Sequence, residues 1–267
     1  MTSEPFQPNI DRLTSAERRL LRWGKREERR FGSLGMLLEG AKLVEEGLKE
    51  HLGLNCGWFT GEFAEDNREL LNRLRSVGCR IRPVSSRVMR QISDMETPPG
   101  IAVVSEQVDV RLRNPFDPFK LIVALIAAQD PGNLGGVIRT ADYFGVDEVW
   151  LSVGSADPFG PKALRGAMGA TFRVPVARFD DLRSQILRFK KYGAVIWAAV
   201  AHGKVETNII HSERMILLFG NESRGLSPDE LKLADKRAKI AGAGRGESLN
   251  LGVAVGIMVH QALVLCQ

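Results

Sequence analysis

Apolar residues along this chain fall into two alternating series of strand-like runs and helix-like stripes, separated by one polar, proline-bearing segment. In the first series, Leu37, Ala41, Val44 and Leu48 recur at helical spacing and predict a helix. Leu54 to Thr60 predicts a short strand, and Leu70, Leu71, Leu74 and Val77 a second helical stripe. Cys79 to Val84 is a strand candidate, Val88 to Met95 a short helix and Ile101 to Val104 a strand. The second series has stronger strands. Leu121 to Ala127 is an unbroken apolar run, the pattern of a parallel strand buried on both faces. Val149 to Val153, Val195 to Val200 and Met215 to Phe219 resemble it, with helical segments at Leu134 to Phe144, Pro161 to Ala167 and Asp181 to Lys191. Ser248 to Leu265 is apolar nearly all round, so a helix there must be covered on several sides.

Between the series, Ser105 to Phe119 contains Asn114-Pro115-Phe116-Asp117-Pro118, which favours turns and extended backbone over helix. This places an α/β domain with its leading helix at 1–105, a linker at 106–118 and a parallel α/β domain at 119–267.

Composition changes the picture in three respects. The 267 residues are 44% hydrophobic and 26% charged, as in globular domains, and no run approaches the roughly 20 apolar residues of a membrane helix. Met1 to Asn9 is polar with two prolines and lacks the apolar centre of a signal peptide, so a cytoplasmic location is expected. Cys56, Cys79 and Cys266 are scattered, as are the four histidines, which supplies neither a disulfide framework nor a metal site. The formal charge is +5, and Arg12 to Arg30 alone carries eight Lys/Arg against three Glu. Such a run is either a solvated helix face or a grip on a polyanion. Trp23 and Phe31 within it either pack or stack on bases.

Three polar, glycine-bearing segments each follow or open an apolar element. Ala128 to Ala141 follows the strongest strand and holds Gly132, Gly135 and Gly136, which would let backbone approach a phosphate at a helix N-terminus. It has neither the spacing of a dinucleotide fingerprint nor the Lys of a P-loop. Its specific additions are Asn133 on the loop and Arg139 on the helix, the latter a candidate phosphate clamp. Leu217 to Leu226 takes a buried strand into Gly220-Asn221-Glu222 and Gly225, at the carboxyl end where open α/β sheets bind ligands. Glu247 to Ala254 contains Ser248, a candidate N-cap, and Asn250, a polar side chain in an apolar helix that needs a partner.

Together these segments resemble the motif set of the SpoU (TrmH-type) RNA ribose 2′-O-methyltransferases of the SPOUT superfamily: Asn133 and Arg139, Gly220-Asn221-Glu222 with Gly225, and Ser248-Leu249-Asn250, in order over about 150 residues. The N-terminal half resembles the family's L30e-like accessory domain through Arg29-Arg30-Phe31, Leu38-Glu39-Gly40 and Pro99-Gly100-Ile101. The resemblance implies a small L30e-like α/β domain followed by a parallel-sheet SPOUT domain with a trefoil knot. It implies S-adenosyl-L-methionine held by Gly220, Asn221, Glu222, Ile240, Gly242, Ser248, Leu249 and Asn250, and a homodimer with its active site at the subunit interface. The chain departs from the family where Ile240-Ala241-Gly242 stands for Ile-Pro-Met, where Leu251-Gly252 follows the Asn, and where Arg165-Gly166-Ala167-Met168-Gly169 lacks a Ser. The extra glycines imply a looser cofactor loop.

The expected reaction is methylation of a ribose 2′-hydroxyl in RNA, with 23S rRNA favoured over tRNA and no activity on DNA, which lacks that hydroxyl. Arg139 is expected to act, with Asn133, Glu222, Ser248 and Asn250 orienting it. The resemblance casts Arg139 as the base; guanidinium chemistry favours a phosphate clamp. Arg18, Arg19, Arg22, Arg26, Arg29 and Arg30 are expected to grip RNA with Arg139. A non-catalytic RNA-binding paralogue and a nucleotide-dependent oxidoreductase are the competing classes, which donor binding separates.

Overall fold

The computed structural model describes residues 11–26, 35–108, 112–203, 206, 213–246 and 248–263. Arg29, Arg30, Phe31, Glu247 and Cys266 lie outside the described residues. The chain divides into two compact units, Met1–Val108 with Phe159–Pro161, and Asp109–Pro158 with Lys162–Gln267.

The first unit contains α1 (Ser15–Gly24), β1 (Gly35–Glu39), α2 (Ala41–Lys49), β2 (Leu54–Phe59), α3 (Gly61–Asp66), α4 (Arg68–Ser76), β3 (Arg80–Pro83), α5 (Ser86–Ile92) and β4 (Ile101–Glu106). Its sheet runs β1-β4-β2-β3, with β4 antiparallel to both neighbours and β3 parallel to β2. Leu37 belongs to β1 rather than to the helical stripe the spacing suggests. Met36, Leu37 and Leu38 are all fully buried in the strand, and the chain then turns through Gly40 at φ +91° before α2 can start. That φ suits glycine and breaks any helix spanning residues 37–41.

Within the basic segment Ser15–Gly24 forms α1, opened by a capping box in which Thr14 accepts from the Glu17 amide and Glu17 accepts from the Thr14 amide. Glu17 also accepts from Arg82 on β3 (Nη2 to Oε2, 2.8 Å) and from the Trp58 indole on β2 (3.1 Å). One carboxylate therefore fastens the helix to two strands. Trp23 is buried in the core with Leu37, Trp58, Val88 and Val104, so it packs and offers no face to a base.

The second unit contains β5 (Leu121–Leu125), α6 (Pro131–Phe144), β6 (Glu148–Ser152), α7 (Pro161–Ala167, its proline counted with the first unit), β7 (Val176–Phe179), α8 (Leu182–Lys191), β8 (Val195–Ala199), β9 (Met215–Phe219), α9 (Pro228–Leu231), β10 (Lys236–Ala238) and α10 (Leu251–Leu263). The six strands are all parallel, in the order β10-β8-β9-β5-β6-β7. Alternation along β5 supplies both faces of the core. Leu121, Val123 and Leu125 pack with Val137 and Ile138 of α6 and Val255 and Val259 of α10. Ile122 and Ala124 pack with Ile186 and Phe189 of α8. The strand is thus apolar at every position because helices cover both sides.

Residues 112–118 are fastened to this unit. Arg113 pairs with Asp147 (3.0 Å), its amide donates to the Glu148 carboxylate (2.6 Å), and Arg214 donates to the Pro115 carbonyl. Glu148, fully buried, is pushed above the usual carboxylate range by desolvation, opposed by the Trp150 indole and the Arg113 amide. No helix among the described residues is long and apolar enough to cross a membrane, and none of them gather into a metal-binding group.

Candidate active site

From β5 the chain runs to β6 and β7 on one side of the sheet, and β9 occupies the other side. The neighbouring carboxyl ends of β5 and β9 therefore flank the point where strand order reverses, the usual crevice of an open parallel sheet. Both glycine-bearing loops emerge there, and the ladder continues past the strands from the Ile126 amide to the Phe219 carbonyl (2.9 Å).

The loop after β9 is fixed by its own backbone. Asn221 bridges to Gly225, whose φ is +66°. A Cβ on Gly220 would lie 2.2 Å from the Gly225 carbonyl carbon, so only glycine fits. Asn221 holds the turn from both ends of its amide: Oδ1 accepts from the Ser223 amide (3.0 Å), and Nδ2 donates to the Ala127 carbonyl (2.8 Å). Ala127 itself sits at φ +48°, rare for a residue with a Cβ, and its amide donates to Ser152 Oγ (2.8 Å). Such strain persists only where neighbours over-determine it, and it occurs most often at functional sites.

The loop after β5 ends in Asp130, which caps α6 by accepting from the Asn133 amide (2.8 Å), with Pro131 in the first turn. The Asp130 carboxyl is held below its ordinary range, first by that amide and then by Lys162 (3.1 Å). Neither Asp130 nor Ala127 stands out in the sequence as a site residue, although Asp-Pro before an apolar stripe is a cap signature. The glycines of this segment divide. A Cβ on Gly135 would lie 2.5 Å from the Ala163 carbonyl oxygen, so Gly135 lets α6 and α7 touch rather than admitting a phosphate. Gly136 has open space beside it.

Asn250 is the cap of α10. Its Oδ1 accepts from the Gly252 amide (2.9 Å) and the Val253 amide (3.4 Å), the role the sequence suggested for Ser248. Its Nδ2 donates to Asn133 Oδ1 (2.8 Å), and Asn133 Nδ2 reaches Glu222 Oε1 at the long limit of 3.5 Å. Glu222 Oε2 also faces the Gln129 amide at 3.4 Å. One residue from each of the three segments, separated by 117 and 89 positions, thus enters a single polar chain, Asn250–Asn133–Glu222.

The other anticipated residues lie outside that chain. Arg139 is exposed on α6 and, among the described residues, makes no hydrogen bond or ion pair. Ser248 and Leu249 are exposed, Ile240 packs partly against the large core, and Gly242 is exposed with nothing near a Cβ position. On α1, Arg19 and Arg22 are exposed and Arg18 is exposed with its guanidinium on the Leu13 carbonyl (3.3 Å); Arg26, beyond the end of the helix, is half-buried with Nη1 on Gln107 (2.7 Å).

Residues 120–260 match the SpoU rRNA Methylase family, and residues 37–109 match the description RNA 2′-O ribose methyltransferase substrate binding. The chain is 34% identical to an uncharacterized tRNA/rRNA methyltransferase of Synechocystis, covering 85% of this chain and 83% of that protein. It is also 34% identical to the 23S rRNA (guanosine(2553)-2′-O)-methyltransferase RlmP of Bacillus subtilis, covering 84% and 86%. The crystal structure of an AdoMet-bound rRNA methyltransferase from Sinorhizobium meliloti superposes with a TM-score of 0.76 at 27% identity, over 95% of this chain and 96% of that one. Two matched regions in one order, and an α/β architecture shared over nearly the whole length, agree with the three segments that meet beside β5 and β9: the chain belongs to the SpoU rRNA methylase family.

Proposed function

We propose that this chain is a methyltransferase that moves the methyl group of S-adenosyl-L-methionine to a ribose 2′-hydroxyl of RNA, with 23S rRNA as its substrate. The observation that carries this reading is the Asn250–Asn133–Glu222 chain at the reversal point of the sheet. The RlmP relative supports the choice of 23S rRNA.

The residues present fit such a donor. The loops after β9 and β10 leave from the same edge of a parallel sheet. Gly242, Gly244 and Gly246 have nothing within 4 Å of a Cβ position, which leaves backbone amides and carbonyls approachable. Gly220, Asn221 and Glu222, with Ile240, Gly242, Ser248, Leu249 and Asn250, would hold it by backbone edges and these side chains. When bound, it would supply a methyl group on a sulfonium to an in-line 2′-oxygen, leaving a thioether, and the hydroxyl proton must be drawn off as the new bond forms. Asn133 and Asn250 fix the loops around that line, and Glu222 accepts from Asn133. Arg139 presents a planar guanidinium fork. Its unpaired guanidinium suits a clamp on the phosphate next to the target ribose, which positions the hydroxyl.

The domains proposed are an RNA-binding unit at 1–105, a connector at 106–118 and the methyltransferase unit at 119–267. The return of the chain from edge strand β10 to α10, which packs on α6, is where the trefoil knot would be threaded. We read the assembly as a cytoplasmic homodimer. Tyr143 of α6 is 83% exposed, and Leu249 and Val253 beside and on α10 are 49% and 50% exposed, apolar side chains that a second copy would cover. The test supplies labelled donor and total RNA from a strain lacking the gene, separated into rRNA and tRNA. Label in 23S rRNA is expected. Label confined to tRNA overturns the substrate, and donor binding without label in any RNA overturns the activity.

A further inference from the structure

A second basic stretch lies outside the Arg12 to Arg30 segment. Residues 68–90 hold seven arginines, no lysine and a single carboxylate, Glu69. They are spread over α4, β3 and α5, so no linear pattern groups them, but the fold gathers two of them at a groove. Arg68, Asn72 and Arg75 fall at i, i+4 and i+7 of α4 and form one stripe. All three line an open surface groove of about 330 Å³ with Phe59, Ala64, Glu65 and Leu71.

The walls mix apolar, basic, amide and acidic groups, the last being the exposed carboxylate of Glu65. Phe59 and Leu71 are buried and form an apolar floor. Arg68 and Arg75 are exposed and, among the described residues, neither has a carboxylate partner. Asn72 accepts from Arg75 Nη1 (3.1 Å), which aims that guanidinium while leaving its remaining donors unused. Arg82, by contrast, is taken up by Glu17. Arg73, Arg80, Arg87 and Arg90 are exposed and also lack carboxylate partners among the described residues. Ordinary solvated helix faces mix lysine with arginine and balance both with acids. Two arginines without carboxylate partners among the described residues outnumber Glu65 in this lining and suit the oxyanions of successive phosphates.

We propose that this groove is an RNA-backbone site in which Arg68 and Arg75 each take one phosphate of a single strand. The proposal rests on RNA being the substrate, and it assigns to α4 a grip separate from the basic helix α1. Phosphate contacts carry no sequence information, so the site adds affinity without choosing the nucleotide.

The test measures binding of protein-free 23S rRNA to the full chain by filter retention across a salt series, for wild type, R68Q/R75Q and R68K/R75K. Losing two phosphate contacts to single-stranded RNA should reduce the slope of log affinity against log salt by about 1.4, at about 0.7 per contact. The glutamine pair should show that loss and at least tenfold weaker binding, with donor affinity and thermal midpoint unchanged. The lysine pair should keep the slope and lose affinity several-fold, because the charge remains and the fork does not. A glutamine pair with the wild-type slope overturns the groove while leaving the methyl-transfer reading intact. Displacement of RNA by polyglutamate as readily as by polyuridylate of equal charge also overturns it, since a generic acidic chain would then be the occupant. Wild-type protein that binds no RNA at any salt overturns the substrate reading itself.

Discussion

Replacing Glu17 by glutamine removes one negative charge from a point where a helix cap and two strands meet. The carboxylate is held at about 2 from an ordinary 4.5: burial pushes it up, and hydrogen bonds from Arg82, Thr14 and the Trp58 indole more than reverse that. At about 1.4 kcal/mol per unit, a lowering of that size corresponds to roughly 3 kcal/mol favouring the folded, ionised state. The side chain is 17% exposed, so solvent screening reduces this modestly. Glutamine can keep neutral versions of some of the bonds, which leaves an expected loss of about 2 kcal/mol. In a unit of about 100 residues that is a fall of roughly 8–16 °C in melting temperature.

The pH dependence gives a second, sharper reading. A depressed carboxyl stabilises the fold fully above its unfolded value near 4.5, and that contribution fades as pH falls towards 2. Glutamine does not titrate. Wild type and Glu17→Gln should therefore differ most at neutral pH and converge between about pH 4.5 and pH 2. Urea unfolding followed by tryptophan fluorescence measures this, because Trp58 donates directly to Glu17. A variant as stable as wild type at neutral pH, or a gap that stays constant down to about pH 2, would refute the reasoning.

Two further substitutions address the loops of the site. Gly220→Ala places a Cβ 2.2 Å from the Gly225 carbonyl carbon, and backbone must move to admit it. Calorimetry should show donor affinity at least tenfold weaker and stability lower by about 1–3 kcal/mol; normal affinity would mean the turn does not shape the donor pocket. Asn250→Asp keeps the oxygen that caps α10 but loses the donor to Asn133. Its melting temperature should stay near wild type while turnover falls about 10- to 100-fold, and wild-type turnover would show that the Asn250–Asn133 link does not position the reaction.

Much of the large unit is legible in the chain because the physics is local and strong. An unbroken apolar run at Leu121–Leu125 has few folds open to it other than a strand covered on both faces, and two of the three glycine-bearing segments begin where such a run ends. The short strands β7 and β10 were not legible. They are edges of the sheet, only four and three residues long, and β10 reads Lys-Arg-Ala, the charged character that blunts an edge. Leu37 misled because a buried strand followed at once by a helix mimics helical spacing across Gly40. Gly135 looked like a phosphate contact, since tight helix packing asks for the same residue. Asn250 was marked as needing a partner, but its double role as cap and link depends on Asn133, 117 residues away. The arginines of residues 68–90 lie on three elements, and only the fold lines two of them along one groove.

The central claim is that a methyl group reaches a ribose 2′-hydroxyl under the control of Arg139. The direct measurement incubates labelled S-adenosyl-L-methionine and 23S rRNA with wild type and with Arg139→Ala, then hydrolyses the RNA in alkali. A methylated 2′-hydroxyl blocks strand cleavage at that position, so wild type should leave its label in alkali-resistant dinucleotides. The variant should bind the donor normally and lose activity by about 100-fold or more. Label recovered on a base in mononucleotides, or an Arg139→Ala protein with near-normal turnover, would contradict the account.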